Sequence, residues 1–100
     1  MGIKVQGRRV MPNADGWLNP SDINKPASYG RATNSRVVGQ RTGWWEVTTP
    51  DGHVGSLNPD IHTVLEHDDG TITVYPSIDM SQRHPGWWHG YLRRGVFESI

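Results

Sequence analysis

From Gly43 onward, β-branched and aromatic residues alternate with polar ones in short runs, each run closed by a turn signal that contains glycine. Residues 44–49 and 53–57 flank Pro50-Asp51-Gly52 and read as a hairpin, with Gly52 supplying the positive φ of the tight turn. A second hairpin joins residues 61–67 to 71–75 through Asp68-Asp69-Gly70. There the strand period of two sets Ile72 and Val74 on one face and Thr71, Thr73 and Tyr75 on the other, which predicts Ile72 and Val74 as core and the threonines as less buried. Residues 87–92 and 96–99 form a third hairpin around Arg93-Arg94-Gly95. The pattern predicts a mainly β protein, an antiparallel meander of hairpins folded into a small barrel or sandwich.

Before Gly43 the texture differs. Residues 3–40 carry Pro12, Pro20 and Pro26 among Gly, Asn and Ser, and hold no sustained period. Short strands at 3–6 and 36–39 fit the local residues, and Asn19-Pro20-Ser21-Asp22 fits a turn or a single helical turn that Pro26 would stop. The expected organisation is an extended, irregular basic arm at 1–42 and a β-hairpin domain at 43–100, the arm ordering on a partner.

Composition narrows the picture. An apolar share of 34% with 12 Gly and 7 Pro in 100 residues predicts one modest core with abundant turns. The chain has no cysteine, which excludes a disulfide framework and thiolate metal sites. No apolar run approaches a membrane span, and Met1-Gly2-Ile3-Lys4 leads into polar residues, so synthesis in the cytoplasm and no membrane partner are expected.

The net charge of zero conceals a division along the chain. Residues 1–45 carry a net +5, residues 46–79 hold acids alone for −7, and residues 80–100 return +2. A basic segment with Trp17, Tyr29, Trp44 and Trp45 could contact phosphates and stack on bases, but its charges are thinly spread and the acidic middle would repel a polyanion. Protein assembly fits better, one copy's basic arm lying across the acidic surface of the next.

Four of the five tryptophans come as the pairs Trp44-Trp45 and Trp87-Trp88. On a strand, neighbours point to opposite faces, so each pair sets one ring in the core and offers the other to a partner. The expected interaction residues are Trp17, Arg31, Arg36, Trp44, Trp45, Trp87, Trp88, His89 and Tyr91. The five histidines lack a diagnostic metal spacing: His62 and His67 fall on opposite strand faces, and His84 and His89 straddle a Pro-Gly turn. Convergence of His84 and His89 with Asp51 or Asp79 is open, yet nothing requires it, and no metal or cofactor is expected. Asp68-Asp69 and Asp79 could furnish paired carboxylates, but Asp-Asp-Gly between strands is turn chemistry first. With no nucleophile elbow, phosphate loop or His-Glu metal motif, no catalytic residues are expected.

One internal echo stands out. Gly16-Trp17-Leu18-Asn19-Pro20-Ser21-Asp22-Ile23 resembles Gly55-Ser56-Leu57-Asn58-Pro59-Asp60-Ile61, and a Gly-Trp-Trp triplet follows each. A decayed duplication and independent recurrence of turn residues both account for it.

The segments Asp69-Gly70-Thr71-Ile72-Thr73-Val74-Tyr75-Pro76-Ser77-Ile78, Trp88-His89-Gly90-Tyr91-Leu92 and Gly95-Val96-Phe97 carry a resemblance. Across about residues 43–98 the chain resembles small proteins encoded in tailed-phage and prophage genomes. Some of those carry cysteines near the positions of residues 49–52 and 84–87, a zinc-ribbon-like trait that this chain lacks. The resemblance implies a phage origin and a compact β-hairpin domain, and supplies no activity; joined to a basic arm that needs a partner, it leads to the expectation of a non-enzymatic structural or accessory protein of a phage particle, such as a capsid decoration, connector or minor tail component, located in the virion. Its partners would be further copies of itself or other particle proteins. A soluble phage protein acting on a host factor, or a metal- or nucleic-acid-binding accessory protein, is the alternative.

Overall fold

The computed structural model describes residues 2–100. In chain order its elements are β1 (Lys4–Gln6), β2 (Arg8–Val10), α1 (Pro20–Ile23), β3 (Ser28–Arg31), β4 (Trp45–Thr48), β5 (Val54–Leu57), β6 (Thr63–Glu66), β7 (Ile72–Tyr75), β8 (Ile78–Asp79), a 3-10 turn Met80–Gln82, β9 (His89–Arg93) and β10 (Val96–Ser99). One open sheet has the order β1-β10-β9-β8, a second β2-β3-β4-β5, and β6-β7 is a two-stranded ribbon. The mainly β, antiparallel expectation holds, in a sandwich-like arrangement without a closed barrel.

All three expected hairpins form, with the pairs Trp45↔Leu57, Val64↔Val74 and Phe97↔Leu92 inside their registers. The last turns through Arg94 and Gly95, both at positive φ (45° and 77°), the two-residue geometry that matches strand twist. Ile72 and Val74 are core residues as the alternation predicts. Thr73 departs from it, being only 6% exposed. The second face of β7 is covered as well, and the Thr73 hydroxyl accepts the Arg94 backbone N–H at 3.0 Å and meets His67 Nε2 at 2.7 Å. A buried hydroxyl with partners costs little, so the face tolerates threonine.

The arm expectation is corrected. β1 pairs with β10, and β3 joins β2 in parallel and β4 antiparallel, so the first 42 residues supply strands to both large sheets. Tyr29 on β3 is buried and its ring lies 6.5 Å from that of Phe97. The radius of gyration, 12.6 Å, matches the roughly 13 Å of a compact 100-residue domain and leaves no room for a free arm. The strand expected at 36–39 is instead a turn, in which the Gln40 N–H bonds the Val37 carbonyl at 3.1 Å. The single helical turn after Asn19 is present as α1, stopping before Pro26.

The chain changes sheets at Gly7. Its N–H donates to the Gly95 carbonyl at 2.7 Å, and a Cβ there would stand 2.5 Å from that oxygen and 3.0 Å from the Tyr29 ring. Only glycine permits this crossing, which welds β1, β3 and β10 around one core. That core holds Tyr29, Trp45, Val47, Leu57, Ile72, Val74, Ile78, Met80, Leu92 and Phe97, each worth about 1.5–3 kcal/mol when a large side chain is fully buried. A smaller cluster of Val10, Leu18, Ile23 and Ala32 lies under α1 and the segment after it.

The echoed segments share local structure. The Asn19 carbonyl accepts from the N–H groups of Asp22 and Ile23 at 2.9 and 3.0 Å, and the Asn58 carbonyl from those of Ile61 and His62 at 2.9 and 2.8 Å. The same Asn-Pro turn chemistry therefore operates twice.

Candidate functional site

Strand β4 is buried on both faces. Its period of two sends Val47 into the main core with Trp45, and turns Glu46 and Thr48 towards α1 and the loop that precedes the strand. Thr48 is satisfied there, its hydroxyl donating to the Ile23 carbonyl at 2.6 Å. Glu46 is not fully satisfied: it is 2% exposed, Oε1 accepts from the Ser56 hydroxyl at 2.7 Å, and the buried Oε2 has no partner in hydrogen-bond geometry among the described residues. Burial pushes its carboxyl up to about 7, and the Ser56 hydroxyl together with the Arg41 backbone and charge offsets that only in part.

Glu46 closes a groove of about 730 Å³. The walls are Trp44, Val37, Val38, Val54 and Ile23, and the charged groups on it besides Glu46 are Arg41 and Arg83. The Arg41 guanidinium stacks 4.3 Å from the centre of the Trp44 ring. Neither Arg41 nor Arg83 has an acidic partner among the described residues, Arg83 reaching only the Val54 carbonyl at 3.4 Å. The loop wall is fixed by Gln40, whose side-chain amide bonds both the Leu18 N–H and the Leu18 carbonyl, at 3.1 and 2.9 Å, as a neighbouring strand would. Val38 at its tip is fully exposed. The groove can therefore receive an extended group with apolar flanks and a polar head.

The expected interaction residues separate into several places. Trp44 lies on the groove, half-buried. Trp45 is buried and faces no partner; the guanidinium groups of Arg9 and Arg31 each stand 5.0 Å from its ring centre. Glu66 bridges those two arginines, 2.7 Å from Arg9 and 3.5 Å from Arg31, and the Arg9 hydrogen bond holds its carboxyl below the usual range. Arg31 thus serves a local ion network. Arg36 is exposed on the loop beyond β3, and Trp17 is half-buried in the turn after Asn13, apart from the others. Tyr91 lies under Arg93 at 4.1 Å.

Trp87 stacks on His53 at 3.6 Å and on His84 at 5.2 Å, with Trp88 edge-on to Phe97. Asp51 ties this cluster together: it accepts from His53 Nδ1 and the Trp88 N–H, both at 2.9 Å, and from the Thr49 hydroxyl at 2.5 Å. Burial works to raise the Asp51 carboxyl, but those bonds outweigh it and hold it low. The segments 51–53 and 87–88 are thereby neighbours. Among the described residues no group of three or more His, Cys, Asp or Glu is arranged to hold a metal ion.

His89 meets the Ser77 hydroxyl through Nε2 at 3.1 Å and Asp79 Oδ1 through Nδ1 at 3.9 Å. The order serine, histidine, carboxylate invites comparison with a nucleophilic triad, but the second distance exceeds a hydrogen bond. The same Asp79 oxygen already accepts the Ser81 N–H at 2.9 Å as the cap of the 3-10 turn. Ser77 and His89 act instead as a latch between the Pro76-Ser77-Ile78 and Trp88-His89-Gly90 segments, which pair as β8 and β9 through Ile78↔Gly90.

Reading by sequence missed Glu46, Ser56, Arg41 and Arg83. The available signal was an acid inside the run Trp44-Trp45-Glu46-Val47-Thr48, where every neighbour suits a buried strand. Comparison with protein-family models, with curated proteins and with solved structures gives no significant match for the chain.

Proposed function

We propose that this chain is a non-enzymatic structural or accessory component of a phage particle, acting through protein–protein contacts, and that the groove between β4, β5 and the 37–44 loop is its docking surface. The observation that carries the reading is the groove itself: apolar walls, an exposed Val38, and two arginines without acidic partners line one open depression. Aromatic and arginine side chains around a depression are the composition of an interface anchor site. The phage assignment rests on the resemblance across about residues 43–98; of its three motif segments the first two contain β8 and β9, adjacent strands whose ends Ser77 and His89 join.

The test is particle association. Density-gradient-purified particles from a producing culture should contain the chain at a fixed ratio to the major shell protein. A Trp44→Ala, Val38→Asp double variant, folded by circular dichroism, should be depleted from them. Recovery of the wild-type chain only as a free soluble monomer would overturn the proposal.

A further inference from the structure

Resting on the docking reading above, we infer that the groove is a carboxylate-binding site for an acidic peptide segment of a partner protein, and that Glu46 takes up a proton when that segment binds.

The charges decide the sign of the ligand. Among the described residues Arg41 and Arg83 are the cations on the groove, neither forms a salt bridge, and Glu46 is the sole acid lining it. Arg41 is held by stacking on Trp44, which leaves its N–H edge free to fork onto a carboxylate. A lysine or arginine entering the same space would meet two like charges. Glu46 decides the rest. Buried, and with Oε2 short of a partner among the described residues, it is costly as an anion. A ligand carboxylate held on Arg41 and Arg83 sets a second negative charge beside Glu46, and a like charge nearby favours the neutral form of a buried carboxyl. The groups facing Glu46 are Ser56 from β5, Arg41 from the loop, Arg83 after the 3-10 turn, and the uncharged Asn24 and Gln40; no histidine lines the groove. The valine walls favour a peptide, which carries apolar side chains beside its carboxylates, over a nucleic-acid strand.

The probe is a capped Val-Asp-Asp-Val peptide titrated into the full-length chain and followed by nuclear magnetic resonance at the Trp44 indole and the Glu46 side-chain carboxyl. Saturable binding should tighten roughly tenfold or more from pH 8.5 to pH 6.5, since one proton is linked to it. The Asn-Asn version of the peptide should bind at least roughly fivefold more weakly, and Arg83→Gln should weaken the acidic peptide similarly. Glu46→Gln, which keeps the shape and a donor, should bind with little pH dependence. Absence of saturable binding, equal binding of the Asn-Asn peptide, or the same pH slope in Glu46→Gln and wild type would each overturn the inference. So would tighter binding of a single-stranded oligonucleotide at the same resonances. Failure here with continued incorporation into particles removes the carboxylate site and leaves the particle role standing; peptide binding without particle association does the reverse.

Discussion

Replacing Glu46 by glutamine should change the pH dependence of stability in a defined direction. A glutamate that titrates near 4.5 in the unfolded chain and at about 7 in the folded one binds its proton more tightly when folded. Folding is therefore unpenalised below about pH 4.5, loses stability as pH rises through the window from 4.5 to 7, and carries the full penalty above it. At about 1.4 kcal/mol per pH unit, the difference between the ordinary and the raised value amounts to about 3 kcal/mol. Glutamine keeps the acceptor for the Ser56 hydroxyl, and it does not titrate.

The assay is urea unfolding of both proteins at pH 4.5, 5.5, 6.5 and 7.5, read as the difference between them. Every other titrating group is common to both chains and cancels. The depressed carboxylates Asp51, Glu66, Asp69 and Asp79 act in the opposite sense, their stabilisation being lost as pH falls below the ordinary carboxylate range. That window lies beneath the one tested. The advantage of Glu46→Gln should grow by about 3 kcal/mol across the series. Parallel curves would refute the reasoning, since they would mean that Glu46 is as well solvated in the folded protein as in the unfolded one.

Ile72→Ala should cost about 2–4 kcal/mol in denaturant melts, and Thr73→Val about 1–3 kcal/mol because the Arg94 N–H and His67 lose their hydroxyl partner. Deleting residues 2–10 removes β1, β2 and the Gly7 crossing, and should abolish the cooperative thermal transition seen by circular dichroism; a surviving sharp melt would restore the idea of a separate arm. Ser77→Ala should cost about 1 kcal/mol in urea melts through loss of the His89 bond, a stability effect fitting a latch.

The hairpins were legible because each is local: turn residues with positive φ and an alternating strand pair lie within about fifteen residues of one another. What escaped is non-local. β1 pairs with β10 across ninety residues or more, and β2 with β3 in parallel, and none of these strands exceeds four residues. So short a strand carries too few positions for a period to register. Proline and glycine in this stretch were read as marks of an unanchored arm, whereas Gly7 is glycine because two sheets meet there and Pro20 because α1 begins there.

The groove was hidden for the same reason. Alternation along β4 separates Trp45 and Val47 from Glu46 and Thr48, and the second pair reads as solvent-facing unless something covers it. The covering comes from α1 and the 37–44 loop, held by a Gln40–Leu18 contact spanning 22 residues, and both lie in the stretch without periodicity. A carboxylate among residues suited to a two-sided interior was the visible trace of that cover. A merely exposed strand face would be expected to carry several charges, but residues 44–49 carry only Glu46. Its isolation separates a buried acid from an ordinary surface one, and marks Glu46 as the position at which the cover over β4 can be read from the sequence.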